Sequence, residues 1–302
     1  MKKMLLTAAF IVSFGMCASG IVQLTGKQRA FAAERPVITW VYMADAEPMN
    51  WQENGVAKGI EVEIVQQICD NLGITVKHEF YPWLRAQEMV KSGDADGMMT
   101  TPTLTRFEYA VFGKEMTVPE YWNLFIKKGN ANIAEQIPAL KSVEDLKRFR
   151  LLDFLGNGWT EAYMKEGYTI NRVPRIDQIP TMLAAGREDL SIMSSTWMNW
   201  WAEKKGISDQ IEEHEIDWPM TRFHFVLMLS RKSPWVEQGL IRAMDEELKK
   251  MKASGQWQDI LRKYKNAHGS GKPFQSHLDD AYLTAKGFYA DYDTYPIYVK
   301  PE

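Results

Sequence analysis

Two pairs of neighbouring hydroxyl residues end two similar stretches of the sequence. In each stretch an apolar helical pattern ends at a glycine, an acidic residue follows three positions later, and a short apolar run leads to the hydroxyls. The first copy ends at Thr100 and Thr101, and the second ends at Ser194 and Ser195. Hydroxyl groups both donate and accept hydrogen bonds, so such pairs suit a small polar molecule. We therefore expect the two pairs to face each other across a cleft.

A glycine-rich turn is a second candidate for ligand contact. The segment 156–158, Gly-Asn-Gly, precedes Trp159, where a helix is predicted to begin. Backbone N–H groups at the start of a helix can bind an anion, and glycine allows the ligand to come close. Gly158 and Trp159 are therefore candidate ligand contacts, with an ordinary tight turn as the alternative.

Aromatic residues form a third candidate group, because they gather where the cleft edges are predicted. Aromatic rings can give a ligand an apolar or cationic face, although each ring can equally serve packing within a lobe. Arg85 follows Trp83 closely and can also point towards the mouth of the cleft. The aromatic set consists of Trp51, Trp83, Tyr121, Trp122, Trp159 and Trp197.

The sequence contains no pattern that requires catalysis or a metal. Its five histidines are scattered without metal-ligand spacing, and no serine lies in a Gly-x-Ser-x-Gly pattern. The segment 212–215, Glu-Glu-His-Glu, favours a solvated loop over a metal site. We therefore predict a protein that is not an enzyme and that uses no cofactor and no metal. An enzyme would need a cleft acid or base such as Glu47 or Asp153, and Asp153 could also offer an anion to a ligand.

Alternating strand and helix patterns surround these residues. Strands are predicted at 37–42, 74–80 and 97–100, with helices at 60–72 and 84–90. The pattern restarts with a capping box at 142–145, strands at 150–154, 169–173 and 190–193, and helices at 159–165, 177–185 and 196–205. A strand at 223–229 and helices at 234–253 and 257–264 follow. Such alternation is typical of parallel sheets covered by helices.

We predict an α/β fold of two lobes around a ligand cleft. Lobe 1 comprises residues 34–126 and 224–267, and lobe 2 comprises residues 127–223. The chain therefore crosses between the lobes more than once. In open α/β sheets a ligand binds beyond the carboxyl ends of the strands, which is where the hydroxyl pairs are expected.

Residues 1–33 have the basic start, apolar middle and small-residue end of a secretory signal peptide. We predict cleavage after this segment and export of the mature protein, with an uncleaved N-terminal anchor as the alternative. Cleavage leaves 36 − 4 = 32 basic residues against 39 acidic ones, so the net charge changes from −3 to 32 − 39 = −7. An acidic chain gives no reason to expect nucleic acid as a partner. Cys69, the one cysteine after the signal, is expected to be buried.

Three stretches resemble the family 3 bacterial extracellular solute-binding proteins. They are GIEVEIVQQICDNLG at 59–73, TLTRFEYAVF at 103–112 and LKKMKASGQWQDILRKY at 248–264. The first resembles the family's first helix, the second its Thr-x-x-Arg segment, and the third its closing element. The resemblance extends from Ile38 to Tyr264. It implies a periplasmic-binding-protein type II fold that captures polar amino acids and related solutes for ABC importers.

The resemblance also implies roles for single residues. Arg106 would hold a substrate carboxylate, with Thr103 in the same motif and Thr101 just before it. A guanidinium fork suits a planar carboxylate, and the alternative is a surface salt bridge. The family often has an aspartate for the substrate ammonium where this sequence has Ser194. Without that anion, a carboxylate or another polar solute becomes an alternative to a standard amino acid.

The function that follows is a periplasmic solute-binding protein of an ABC importer. It would close on a small solute by a hinge motion near 122–128 and 222–226 and deliver it to a permease in the inner membrane. We expect a monomer. The alternatives are a dehydratase-like periplasmic enzyme on the same fold, and a sensor or accessory subunit whose cleft binds no ligand. Residues 268–302, a tyrosine-rich C-terminal extension, would pack along lobe 1 or dock a partner.

Overall fold

The computed structural model describes residues 36–264, except residues 217, 219 and 220. The predicted signal peptide at 1–33 and the predicted extension at 268–302 lie outside the described residues. Within the described part, no helix is both long enough and apolar enough to cross a membrane.

The first part of the chain alternates strands and helices as predicted. Its elements are β1 (Val37–Met43), β2 (Trp51–Glu53), β3 (Val56–Lys58), α1 (Ile60–Asn71), β4 (Thr75–Tyr81), α2 (Trp83–Ser92), β5 (Gly97–Thr100), α3 (Leu104–Phe107) and β6 (Ala110–Lys127). The sequence did not predict the β2–β3 hairpin, α3 or most of β6. Gly113 and Pro119 interrupt the strand pattern of β6, so periodicity does not predict most of this strand.

The second part follows the same alternation. Its first elements are α4 (Ala131–Ala134), short 3-10 helices at Ile137–Ala139 and Val143–Arg148, β7 (Arg150–Phe154), α5 (Gly158–Tyr163), β8 (Thr169–Val173), α6 (Gln178–Ala184), β9 (Leu190–Ser194) and α7 (Ser195–Lys204). It continues with a 3-10 helix at Ser208–Gln210, β10 (Ile211–His214), β11 (Arg222–Ser230), α8 (Pro234–Glu237), α9 (Leu240–Ser254) and α10 (Gln256–Lys263). The single helix predicted at 234–253 is two helices, because Gly239 adopts a left-handed conformation with φ 71°.

Two parallel groups of strands lie at the ends of one sheet path, in the order β4-β1-β5-β11-β6-β9-β7-β8. β1 pairs in parallel with β4 and β5, and β7 pairs in parallel with β8 and β9. The antiparallel strands β6 and β11 join the two groups. We call the β4-β1-β5 side the first lobe and the β9-β7-β8 side the second lobe. The mixed α/β prediction is confirmed.

Strand β6 changes its partners along its length. Its residues 110–121 pair with β11, residues 122–126 pair with β9, and residues 124–127 also pair with β10. The chain therefore passes from one lobe to the other within β6. The lobe boundaries predicted at 126/127 and 223/224 fall within β6 and β11, and the exact ranges stay a prediction.

The repeated sequence unit is also a repeated structure. The helices α2 and α6 are followed by glycines with positive φ, 88° at Gly93 and 69° at Gly186. Three residues later, the Asp96 carboxylate accepts a hydrogen bond from the Thr39 N–H at 2.8 Å, and the Asp189 carboxylate accepts one from the Arg150 N–H at 2.8 Å. Each aspartate thus ties the start of its own strand to the neighbouring parallel strand.

Candidate functional site

A cavity lies between the lobes at the carboxyl ends of β1, β5 and β7. It contains about 690 Å³ of empty space, including the part open to solvent. The aromatic lining residues are Tyr42, Trp83, Trp122, Phe154, Trp159, Trp197 and Phe225. The polar lining residues are Asn50, Glu61, Thr100, Thr101, Thr103, Arg106 and Asn157. An aromatic wall with a few polar groups can hold a small solute that has both apolar and charged parts.

Arg106 lies at the edge of this cavity on the short helix α3. The Thr103 hydroxyl caps that helix by accepting from the Arg106 N–H at 3.3 Å. The side chain is only 4% exposed, and Nη1 donates to the Thr101 carbonyl at 2.8 Å. Nη2 and Nε both donate to Oε1 of Gln87, at 2.8 and 3.2 Å. The guanidinium is therefore oriented by the first lobe, and burial lowers its pKa against the opposing effects of Tyr109 and Glu161.

Gly158 brings the second lobe directly against this guanidinium. A Cβ atom at Gly158 would lie 3.0 Å from Nη1 and 3.1 Å from Nη2 of Arg106. A larger residue would meet the arginine there, so glycine permits the close approach of α5. The Asn157 side chain caps α5 by accepting from the Trp159 N–H at 3.1 Å. Gly158 and Trp159, both predicted from the sequence, line the cavity from this turn.

Two sets of hydrogen bonds connect the lobes at the cavity rim. On one side, Trp83 Nε1 and Gln87 Nε2 donate to the Gly156 carbonyl at 2.7 and 3.3 Å. On the other side, Glu47 accepts from Trp200 Nε1 at 3.0 Å and pairs with Lys204. The Trp83 ring also lies 5.4 Å from the Arg106 guanidinium carbon. Trp83 thus lines the cavity and links the lobes.

The two hydroxyl pairs have different positions, unlike the expectation that they face one another. Thr100 and Thr101 line the cavity, whereas Ser194 and Ser195 are buried outside its lining. Ser194 caps α7 by accepting from the Trp197 N–H at 3.3 Å, and Ser195 bonds with Glu213 and Asn123. β9 runs into α7 without a loop, so its terminal hydroxyls serve the helix start.

Two further sequence candidates lie away from the cavity lining. Trp51 packs against Trp200 and Tyr264, with ring centroids 6.3 and 6.2 Å apart. Arg85 is exposed on α2. The side chain of Tyr121 lies outside the described part of the structure. Trp122 and Trp197 line the cavity as expected.

Asp153, which the sequence offered as an anion for the ligand, forms its side-chain hydrogen bonds within the second lobe. Its carboxylate accepts hydrogen bonds from Asn157 Nδ2, at 2.9 Å, and from the Thr160 hydroxyl. Burial raises its pKa to about 6, against the lowering effect of these bonds. Because it does not line the cavity, Asp153 supports the turn before α5 and does not face a solute.

Sequence reasoning missed Glu61, a buried acid on the cavity wall. Its side chain is 4% exposed and accepts a hydrogen bond from Asn50 Nδ2 at 2.6 Å. Burial raises its pKa to about 8. A signal was present: Glu61 lies four residues before Val65 and seven before Ile68, on the apolar face of α1. An acid near a helix start is usually read as a favourable dipole contact, which hid this signal.

Residues 38–267 match the bacterial extracellular solute-binding proteins, family 3. The match covers more than half of the sequence. The chain belongs to this family. The resemblance carried by the three sequence motifs is thereby confirmed. No curated protein matches this solute-binding protein.

Solved structures resemble this family 3 protein over three quarters of its length. A histidine kinase sensor domain similar to periplasmic binding proteins has 18% identity and a TM-score of 0.64, covering 76% of this chain and 96% of its own. The substrate-binding protein of an amino acid ABC transporter has 17% identity and a TM-score of 0.61, covering 75% and 98%.

A third solved structure is an ancestral amino-acid-binding protein described as a precursor of cyclohexadienyl dehydratase. It has 19% identity and a TM-score of 0.59, and the match covers 75% of this chain and 94% of its own. At such identities the likeness shows the fold alone. That fold is the periplasmic-binding-protein type II fold, as the sequence predicted.

Proposed function

We propose that this family 3 protein captures a small polar solute in the cavity between its lobes and delivers it to an ABC permease. The observation that carries the proposal is a single cavity lined from both lobes, with the oriented guanidinium of Arg106 at its edge. A guanidinium offers five N–H donors; Thr101 and Gln87 accept from three of them, and Tyr109 is a further hydrogen-bond partner. The remaining N–H can bind a carboxylate oxygen of the solute.

Closure of the lobes would trap the solute. Among the described strands, β6 and β11 alone connect the two parallel strand groups in the sheet path, which supports a hinge at these strands. Micromolar capture requires about −8 kcal/mol, a free energy within reach of one arginine contact, a few backbone bonds and an aromatic wall. A periplasmic location, a monomeric state and a permease in the inner membrane belong to this proposal.

The Arg106 role can be tested by thermal unfolding with a panel of amino acids, short carboxylates and an extract of the native host. Solutes that raise the melting temperature of the wild type should have no effect on Arg106→Ala, because the carboxylate loses its charged partner. Arg106→Lys, which keeps the charge but loses the fork, should retain a smaller shift. An unchanged shift in Arg106→Ala would contradict the proposal.

Arg262→Ala is the matched control for this experiment. Arg262 is an exposed arginine on α10 whose partner is Asp259 on the same helix. Its removal changes the net charge equally but leaves the cavity intact, so the wild-type shifts should persist. Circular dichroism of each variant separates loss of binding from loss of folding.

A second candidate function is an enzyme on the same fold. Glu61 favours it, because a buried cavity acid with a pKa of about 8 could donate or accept a proton at neutral pH. Conversion of a bound solute to a new compound, followed by mass spectrometry, would identify such an activity.

A sensor or accessory role is supported by the sensor-domain likeness. In that case no solute of the panel or the extract would raise the melting temperature, and a partner protein would instead bind the native chain.

A further inference from the structure

Two acceptor groups in the first lobe meet at the cavity wall and have no cationic partner among the described residues. Glu61 and Asn50 both line the cavity, with 4% and 3% exposure. Their mutual contact is the 2.6 Å hydrogen bond from Asn50 Nδ2 to Oε2 of Glu61. The other amide atom, Oδ1 of Asn50, is buried and has no hydrogen-bond partner in the described part of the chain. A buried acceptor without a hydrogen bond costs free energy, so a bound group that donates hydrogen bonds would stabilise this pair.

The chain places this pair by a close contact between a loop and a helix start. The Ile60 and Glu61 N–H groups donate to the carbonyls of Pro48 and Met49, at 3.1 and 2.9 Å. Gly59 adopts φ 123°, and a Cβ there would lie 2.3 Å from the Met49 carbonyl oxygen. Only glycine lets the loop lie so near α1. The contact holds Asn50 against Glu61.

The surroundings of Glu61 supply no compensating positive charge within the described residues. The described group whose pKa Glu61 helps to raise is Tyr42 on β1, which is neutral when protonated. The Tyr42 hydroxyl is engaged with His78 Nδ1 at 2.8 Å. Burial raises the pKa of Glu61, and the hydrogen bond from Asn50 lowers it. Among the described contacts, Glu61 on α1 and Arg106 on α3 share no hydrogen bond.

We propose that Glu61 and Asn50 form the subsite for a cationic N–H group of the solute, a primary ammonium or a guanidinium. The carboxylate accepts the charge, and Oδ1 of Asn50 accepts a further N–H. Tyr42 and the other rings of the lining cover the apolar part of the solute and attract the cation. The proposal rests on the proposed solute-binding function and names the solute class of that cavity.

The two charged groups select a solute with separated charges. The carboxylate of the solute binds at Arg106, and its cation binds at Glu61, away from the arginine. The second lobe contributes no acidic residue to the described lining of the cavity. A basic amino acid, whose side-chain cation is remote from its carboxylate, fits this arrangement.

Calorimetric titration with three related compounds tests the assignment. L-lysine has a side-chain ammonium, and L-norleucine lacks it. Nε-trimethyl-L-lysine keeps the side-chain charge but has no N–H donors on that group. The wild type should bind L-lysine at least tenfold more tightly than either analogue, and Glu61→Gln should lose this preference. Glu63→Gln, on the same helix turn but paired with Lys263 and Tyr264, should keep it.

Proton release gives a readout that a merely structural role would not change. A cation at Glu61 favours the ionised carboxylate, so binding of L-lysine at pH 7 should release up to one proton. The release is measured from binding enthalpies in buffers of different ionisation enthalpy. It should be absent in Glu61→Gln and present in Glu63→Gln.

Each outcome bears on one of the two proposals. Equal affinities for L-lysine and L-norleucine, or an unchanged preference in Glu61→Gln, would overturn the cation subsite. Equal binding of trimethyl-lysine would overturn the N–H requirement. If neutral or anionic solutes bind and no cationic compound does, the subsite falls and the proposed function stands. If no compound and no extract component binds, the proposed function falls and the subsite with it.

Discussion

At the scale of single residues, Glu61 combines an apolar position with an ionisable group. It shares the buried face of α1 with Val65 and Ile68, and burial raises its pKa to about 8. A solvated glutamate has a pKa of about 4.3, so at neutral pH this carboxyl favours its protonated form in the free protein. In the proposed cation subsite, the charge state of Glu61 would link the stability of the protein to the occupation of its cavity.

The stability of the solute-free protein should fall as the pH rises from 5 to 8. Because the pKa is raised in the folded state, folding favours the protonated form, and this contribution is lost as the pH approaches the folded pKa of about 8. The loss is about 3 kcal/mol of unfolding free energy between pH 5 and 8. Urea unfolding at both pH values should show this excess loss in the wild type relative to Glu61→Gln.

Two comparisons sharpen this pH experiment. Burial raises the pKa of Asp153 to about 6, so Asp153 also lowers the stability as the pH rises. This effect is the same in the wild type and in Glu61→Gln, and it cancels when their losses are subtracted. Glu63→Gln should lose as much stability between pH 5 and 8 as the wild type, and more than Glu61→Gln. Equal losses in the wild type and Glu61→Gln would show that Glu61 titrates as a solvated glutamate.

At the scale of elements, close backbone contacts position the polar groups. Asp96 and Asp189 join parallel strands in the two lobes by the same hydrogen bond. Gly59 allows the loop before it to approach α1, and Gly158 allows α5 to approach Arg106. Contacts of this kind bring the elements close enough for their side chains to share one cavity.

Gly59→Ala should destabilise the protein by about 3 kcal/mol or more, since backbone strain alone costs about 1–3 kcal/mol. The added Cβ would lie 2.3 Å from the Met49 carbonyl oxygen, a backbone atom that moves only with its loop. Displacement of the loop would also separate Asn50 from Glu61. Chemical unfolding measures the loss of stability.

Gly73→Ala is the control that isolates backbone strain at a helix end. Gly73 has φ 71°, and nothing lies within 4 Å of a Cβ placed there. It should cost about 1–2 kcal/mol, the penalty of a left-handed conformation for an ordinary residue. Similar losses in the two variants would show that the loop contact at Gly59 is unimportant.

At the scale of the whole molecule, contacts on two sides of the cavity join the lobes. Trp83 and Gln87 bind the Gly156 carbonyl, and Glu47 binds Trp200 and Lys204. Trp83, Gln87 and Glu47 lie at the cavity rim in the first lobe and contact groups of the second lobe. They stabilise the arrangement in which both lobes line one cavity.

Glu47→Ala should shift the solute-free protein towards a more open arrangement. The variant removes the acceptor for Trp200 and the partner of Lys204 but leaves the cavity lining intact. Small-angle X-ray scattering should show a larger radius of gyration. Affinity for a solute that stabilises the wild type should fall by about three- to tenfold, because less of the protein is ready to bind.

Glu144→Ala provides the control for this change of arrangement. Glu144 pairs with Lys147 on the 3-10 helix Val143–Arg148 and accepts from Tyr168, so its contacts stay within residues 143–168. Its removal changes the charge equally and should leave the radius of gyration unchanged. An unchanged radius in Glu47→Ala would show that this contact does not hold the lobes together.

The sequence by itself determined the order of strands and helices, the repeated unit and the family. Strands β5, β7 and β8 have the predicted bounds, and Gly93 and Gly186 end helices as predicted. These features depend on local periodicity and on backbone conformations that few residues adopt, so short stretches contain the information. Motifs and positions at strand ends also pointed to Arg106, Thr101 and Gly158, which line the cavity.

Only the tertiary structure decided which side chains face the cavity. Ser194 and Ser195 follow the same sequence pattern as Thr100 and Thr101. Because α7 begins directly after β9, however, these serines form their hydrogen bonds within the second lobe. Glu61 became a cavity acid through its contact with Asn50, which depends on the loop packed over Gly59. Periodicity assigns a residue to a face of its own element, whereas the packing of distant segments decides what that face meets.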